Sequence, residues 1–256
     1  PFWKERIDYA FARGYARYQK KFISTYQRES GGEVDVSIII SSYEGEYHLR
    51  NLLPNLVTSL QGVSHEIIII DDASSDGTRD YLESLGQTVK WEINDHRQSF
   101  ARNNNRAAKL AKGKRLCFLN NDTLVQPGWI QPMMEILDHH SDTGIVGNVQ
   151  YQPHTGQIDH FGVRFTILGH VHNSAQLPLW RKVFPNAPWP AVTAACVLMP
   201  KKVFDDLSGF DTGYINGFED VDLCLRLKTI GLRCRASQKS IIGHYVSSSP
   251  GRFDHD

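Results

Sequence analysis

No run of about eighteen or more consecutive apolar residues occurs in this 256-residue chain, so no segment is expected to cross a bilayer as a helix. Charge of one sign is missing too. The 28 Lys and Arg balance 28 Asp and Glu, which removes any global field toward nucleic acid or an anionic membrane. Such a contact would have to be local, and no nucleic-acid partner is expected. Cysteine is scarce: Cys117, Cys196, Cys224 and Cys234 stand in apolar or helical contexts without metal-ligand spacing. They read as small core residues in a reducing compartment. Internal repeats, low-complexity tracts and a signal peptide are all lacking, and a chain opening on Pro1 rather than Met is expected to be a piece of something longer. What is plentiful is core. Apolar residues make up 41%, enough at this length for one large α/β domain or two small ones and unlike a disordered composition.

Residues 1–33 stand apart. Trp3, Ile7, Phe11, Tyr15, Tyr18 and Phe22 recur at helical steps, with Arg6, Arg13, Arg17, Lys20 and Lys21 between them. This is an amphipathic helical extension with an aromatic stripe. It either packs on this or a neighbouring domain or lies peripherally on a membrane, and Gly31-Gly32 serves as its hinge. From Val34 the pattern is β-α-β. Apolar, β-branched runs at 36–40, 67–70, 89–93 and 116–119 read as strands buried on both faces. Helical patterns at 49–60, from Thr78, and at 100–111 alternate with them. That order predicts an α/β fold, a mostly parallel sheet flanked by helices. Residues 145–195, with Pro178, Pro185, Pro188 and Pro190, read as a loop-rich insertion over a site. Strands at 192–199 and 240–243 and helices at 203–207 and from Glu219 complete the pattern.

Polar residues follow the apolar strands at one edge: Ser41-Ser42-Tyr43-Glu44, Asp71-Asp72, Asn120-Asn121-Asp122 and, on a later strand, His244. Ligands of open α/β sheets sit outside the carboxyl ends of the strands. A second acidic group, Glu219-Asp220-Val221-Asp222, opens a helix. One carboxylate cluster can hold a divalent cation against a diphosphate while the other takes a proton from an incoming hydroxyl. Asp122 with His244 offers one hard oxygen and one imidazole, a sparse donor set that suits Mn²⁺ or Mg²⁺ sharing a phosphate ligand. Together these features predict metal-assisted transfer from a nucleotide-activated donor.

The order of segments over about residues 34–250 resembles the family 2 glycosyltransferases, which have the GT-A (Rossmann-like) fold. The matching segments are Ser41-Ser42-Tyr43-Glu44, Asp71-Asp72-Ala73-Ser74-Ser75-Asp76-Gly77-Thr78, Ala101-Arg102-Asn103, Asn120-Asn121-Asp122, Gly209-Phe210-Asp211 with Phe218-Glu219-Asp220, and His244. The resemblance implies that Ser41, Tyr43, Glu44, Asp71, Asp72 and Arg102 bind the nucleobase and ribose, with Asn120 and Asn121 beside them. It implies Asp122 and His244 as metal ligands, Asp220 as general base and Glu219 as the residue orienting the acceptor. Family members invert at the anomeric carbon. Asn120-Asn121-Asp122 is the variant of Asp-x-Asp seen in rhamnosyltransferase-like members, which points to a dTDP-sugar donor, with UDP-sugars as the alternative. Two departures are Asn120 for the first Asp and the absence of a glycine after Ala101-Arg102-Asn103.

The expected organisation is a nucleotide-sugar half at 34–125 and an acceptor half at 126–256. The expected acceptor is a glycan or lipid-linked hydroxyl, and the expected setting is bacterial surface polysaccharide synthesis in the cytoplasm or at the inner face of the membrane. Trp180 and Trp189 either stack on an acceptor sugar or anchor the Pro-rich loop. Asp222 either contacts the acceptor or pairs with Arg226 four residues on. His170 and His172 have zinc-like spacing without a completing ligand, and a polar acceptor loop is expected there. Two rivals remain: a catalytically weak carbohydrate- or nucleotide-binding domain and a sugar nucleotidyltransferase. The latter wants a Gly-rich phosphate loop after the first strand, which Ser41-Ser42-Tyr43-Glu44 is not.

Overall fold

A computed structural model describes residues 33–245 apart from 167, 169, 176–184, 186 and 216. The aromatic stripe of residues 1–32 and Trp180 lie outside the described residues. Strand β1 (Val36–Ser42) shows how the layers arise. Ile38, Ile39 and Ile40 are all fully buried. Successive strand residues face opposite sides, so Ile38 and Ile40 enter one apolar cluster and Ile39 another. Each such side chain contributes on the order of 1.5–3 kcal/mol when buried. Both faces of the sheet therefore need cover. Helices α1 (Glu46–Ser59), α2 (Thr78–Ser84) and α4 (Gln131–His139) cover one face, through Leu49, Leu52, Tyr81 and Met133 among others. Helices α3 (Phe100–Leu110), α5 (Lys201–Asp206) and α6 (Glu219–Thr229) cover the other, through Ala107, Phe204, Leu223 and Leu227.

The remaining strands are β2 (His65–Asp71), β3 (Lys90–Ile93), β4 (Arg115–Leu119), β5 (Thr123–Leu124), β6 (Thr143–Tyr151), β7 (Ile158–His160), β8 (Val163–Phe165), β9 (Val171–Asn173), β10 (Cys196–Pro200) and β11 (Arg233–His244). Among the described residues they form a nine-stranded sheet in the order β3-β2-β1-β4-β10-β6-β11-β5, with β7 beside β6. A separate hairpin joins β8 to β9. The pairs β3/β2, β2/β1, β1/β4 and β6/β11 are parallel, as the β-α-β pattern predicts.

The structure adds two things to that expectation. Strand β10 runs antiparallel to both β4 and β6, with Cys196 opposite Leu119. Its amino end consequently lies at the carboxyl end of β4, so residues 193–195 arrive beside Asn120. Strand β11 begins seven residues before the sequence pattern suggests, because Arg233 and Arg235 interrupt its apolar character. Arg235 is buried but neutralised: it pairs with Asp142 at 3.0 Å and donates to Thr143 Oγ1 at 2.7 Å. A bulge between Ser237 and Ile241 then resets the register and brings His244 opposite Thr123. No helix among the described residues is long and apolar enough to cross a membrane.

Candidate active site

The loops after β1 and β2 are bolted to each other. Glu44, at φ 47°, donates its amide to Ser74 Oγ at 2.8 Å, and its carboxylate accepts from the Ser75 amide and hydroxyl at 2.7 and 2.8 Å. Asp71 is fully buried and accepts from both the amide and the hydroxyl of Ser74. Burial pushes its carboxyl above the usual range, against the Ser74 hydrogen bonds. Asp71 and Glu44 therefore lock these two loops together, with both Asp71 oxygens engaged inside the protein. Asp72, 5% exposed, is held differently. Its Oδ1 is held by Asn94 Nδ2 at 2.8 Å and the Gln98 amide at 2.7 Å, which fixes the carboxylate from one side.

Tyr43 follows Ser41 and Ser42 on the same edge, and the Arg97 guanidinium lies 3.8 Å from its ring centroid. Arg97 was not singled out by the sequence because it falls in an unpatterned loop between β3 and α3. Arg102 is exposed on the first turn of α3, whose cap is Ser99 Oγ accepting from the Arg102 amide.

The strand end after β4 meets the end of β11. Asp122 Oδ1 lies 3.3 Å from His244 Nε2, and Asn120 Nδ2 lies 3.5 Å from the same nitrogen. Asp122 and His244 are 5% and 6% exposed. The Tyr245 amide donates to the Asp122 carbonyl at 3.0 Å, completing the junction. Asn121 turns inward and donates to Ser42 Oγ at 3.0 Å. Above this lies Gly45, where a Cβ would overlap Ser42 Oγ and come within 2.6 Å of Asn121 Nδ2. Two ligands on one octahedral ion of the Mg²⁺ or Mn²⁺ type sit about 3 Å apart at right angles. The Asp122–His244 separation fits that spacing. Among the described residues no cluster of three or more His, Cys, Asp or Glu could hold a metal. An ion here would thus take most of its ligands from substrate and water. His48, on α1, is a neighbour the sequence did not reveal. Burial lowers its imidazole below the ordinary value, while the Asp122 charge pulls the other way.

The carboxylates in the first turn of α6 divide as follows. Asp220 is half-buried; its Oδ2 accepts from the Ala194 amide at 3.0 Å and its Oδ1 from the Val221 amide at 2.7 Å. Glu219 is buried beside it. Asp222 takes the pairing alternative: Arg226 Nε donates to it at 2.7 Å, and the other two guanidinium nitrogens reach the Leu207 and Gly209 carbonyls. Through that arginine it is tied to the turn before α6. Trp189 also takes its structural alternative. It is 3% exposed, edge-on to Phe161 at 5.5 Å, and leaves no room for a Cβ at Gly162. Its indole is a core anchor, closed to a sugar.

One dipeptide joins the start of α6 to the end of β4. The Ala194 amide holds Asp220, and the Ala195 carbonyl accepts from the Asn120 amide at 2.9 Å. Next to it, the Thr193 amide donates to His160 Nε2 at 3.4 Å, and His160 Nδ1 faces Asn173 Oδ1 at 3.2 Å. His160 is 1% exposed, and burial lowers its pKa to about 4.

Residues 37–207 match the Glycosyl transferase family 2 profile, and the chain belongs to that family. Over 240 residues it is 30% identical to the O-antigen biosynthesis protein RfbC of Myxococcus xanthus, covering 85% of this chain and 18% of that protein. Its backbone is similar to that of S. aureus TarS, with a TM-score of 0.61 and 15% identity over 84% of this chain and 37% of TarS. It is also similar to the mannosyltransferase PcManGT from Pyrobaculum calidifontis, with a TM-score of 0.60 and 16% identity over 96% of this chain and 70% of that one. The fold is that of the GT-A glycosyltransferases.

Proposed function

We propose that this chain transfers a sugar, with inversion, from a nucleoside-diphosphate sugar to a hydroxyl of a glycan or lipid-linked acceptor, in the synthesis of a surface polysaccharide. The observation that carries this is the Ala194-Ala195 bridge, which hydrogen-bonds Asp220 on one side and the strand end leading to Asp122 on the other. A base and a leaving-group site fixed to one rigid element are what single displacement requires.

In this reading Tyr43, Asp72 and Arg102 receive the base and ribose, and the loop locked by Asp71 and Glu44 keeps that pocket open. Asp122 and His244 would hold Mn²⁺ or Mg²⁺, whose chemistry is to stabilise negative charge on the departing diphosphate. Asp220 accepts the proton of the acceptor hydroxyl as it attacks the anomeric carbon from the face opposite the diphosphate. Its two backbone amide donors hold the carboxylate in one orientation throughout, and buried Glu219 supports the acceptor. A nucleotide-sugar donor is supported by solved neighbours: PcManGT is a complex with GDP-Man and Mn²⁺, and TarS has a complex with UDP. Surface polysaccharide synthesis is supported by RfbC, named for O-antigen biosynthesis. Asn120 favours a dTDP- or UDP-sugar.

The test is a thermal-shift panel of UDP, dTDP, GDP and CDP, each with Mn²⁺ and with EDTA, alongside transfer assays. A ligand that binds only the folded state raises the midpoint. We expect a metal-dependent shift with one diphosphate, lost in Asp122→Ala and kept in Asp220→Asn, which abolishes transfer. Equal loss of the shift in both variants would overturn the division of roles. Absence of any shift in the parent would leave a carbohydrate-binding domain as the better description.

A further inference from the structure

Two consecutive residues enter α6 in the left-handed region: Gly217 at φ 87° and Phe218 at φ 71°, ψ −7°. Glycine adopts this conformation freely, whereas a phenylalanine there is strained. The conformation is fixed from the helix side, since the Phe218 carbonyl accepts the Asp222 amide at 2.9 Å in the first turn of α6. A side chain kept at a strained position normally repays it by packing. Phe218 does not: its residue is 57% exposed, while Phe161, Phe204 and Phe210 are all buried to within 3%. Ile215, three residues earlier on the same loop, is 69% exposed. The ring thus gives up backbone comfort without entering the core, and it does so two residues from Asp220.

We propose that Phe218 is the platform of the acceptor subsite, stacking on the apolar C–H face of the sugar whose hydroxyl meets Asp220. This deepens the glycosyltransferase reading and rests on Asp220 being the base. Consecutive Cα atoms are about 3.8 Å apart, so residues two apart lie within roughly 7 Å. A sugar ring presenting a hydroxyl to Asp220 therefore has its body within reach of the Phe218 ring. The aromatic face is electron-rich and the ring C–H edge of a sugar slightly positive, so the two attract when desolvated. Phenylalanine also suits the task because only two side-chain torsions need be fixed on binding. The other two aromatic candidates do not compete: Trp189 is closed within the core, and Trp180 lies outside the described residues.

The experiment uses Phe218→Gly and Phe218→Trp in the full chain. The probes are methyl glycosides of rhamnose, glucose, galactose and N-acetylglucosamine, read by saturation-transfer NMR from protein to sugar ring protons, with Tm measured in parallel. In the parent, at least one glycoside should show saturation concentrated on its C–H face. Phe218→Gly relieves the left-handed strain, so its Tm should hold or rise while affinity for that glycoside falls about five- to tenfold. Phe218→Trp should keep the affinity. Unchanged saturation in Phe218→Gly overturns the platform, as does a parent that saturates none of the glycosides. A Tm drop of several degrees in Phe218→Gly also overturns it, because the ring would then be a packing element. The donor reading fails separately. It fails if no nucleoside diphosphate shifts the parent with Mn²⁺, even when glycoside saturation behaves as expected.

Discussion

At the scale of single residues, several polar groups of the site share chemistry but differ in what surrounds them. Asp72 and Asp71 are neighbours, yet Asp71 has both oxygens on Ser74 while Asp72 is held at one oxygen only. Asp220 and Asp222 are two apart, and among the described residues only Asp222 is engaged by an arginine. His160 makes the point for imidazoles. Its Nε2 accepts the Thr193 amide, so a proton there would remove that hydrogen bond and place a charge in the core. Burial is the main cause of its lowered pKa of about 4, with the His244 charge adding to it and the Asn173 hydrogen bond opposing. The unfolded chain, near 6.5, binds the extra proton between those values. The stabilising preference for neutral His160 is therefore complete above about pH 6.5 and lost as pH falls through about 4, by roughly 3 kcal/mol in all. The Tm of the parent should fall steeply as pH drops through that window. His160→Gln should be less stable at neutral pH and lose less on acidification. Parallel pH curves for the two proteins would refute the role.

At the scale of elements, the site depends on how closely the start of α1 approaches the end of β4. Gly45 permits that approach: a methyl group there meets the Ser42–Asn121 hydrogen bond from above. Gly45→Ala should destabilise the fold by about 1–3 kcal/mol, the usual cost of overpacking. That lowers Tm by roughly 2–12 °C at this chain length. Because Asn121 precedes Asp122, the same variant should blunt the metal-dependent nucleotide shift more than Tm alone accounts for. A variant with parental Tm and parental nucleotide shift would show that the loop yields easily. The reversal of β10 is the other element-level device. Were it parallel, residues 193–195 would lie at the far edge of the sheet, and Asp220 would lose its Ala194 amide.

At the scale of the molecule, one nine-stranded sheet runs through the described residues, with an apolar cluster on each face. The cysteines report on this. Cys117 and Cys196 lie on adjacent strands, Cys224 on α6 and Cys234 on β11, and all four are free and fully buried. Burial and the neighbouring Cys196 push the Cys117 thiol well up; Cys234 first, then burial, do the same for Cys224. Thiolate is the reactive form. A thiol reagent should therefore label none of the four in the native protein and all of them together on denaturation, in step with loss of helical signal. Labelling of one pair well before unfolding would mean that the packing around that pair opens locally, ahead of the rest of the sheet.

The amino-acid sequence by itself determined the buried strands, the helices that alternate with them, and the polar residues at the strand ends. These features depend on local periodicity and on chemistry at the boundary between an apolar run and a turn. That is why Ser41 to Glu44, Asp71-Asp72, Asn120 to Asp122 and His244 could be read as one edge. Arg226 pairing with Asp222 was legible for the same reason, being a contact within one helix turn. The tertiary structure alone decided which of those groups remain available to a substrate. The deciding partners are remote: Asn121 meets Ser42 across 79 residues, Thr193 meets His160 across 33, and Ala194 meets Asp220 across 26. No periodic signal encodes such a pairing. It follows from the direction of β10 and the bulge in β11, which close packing of two cores sets and a linear pattern does not. The same packing buried Trp189, left Phe218 in the open, and joined Asp220 to the strand end at Asn120 through the backbone of two alanines.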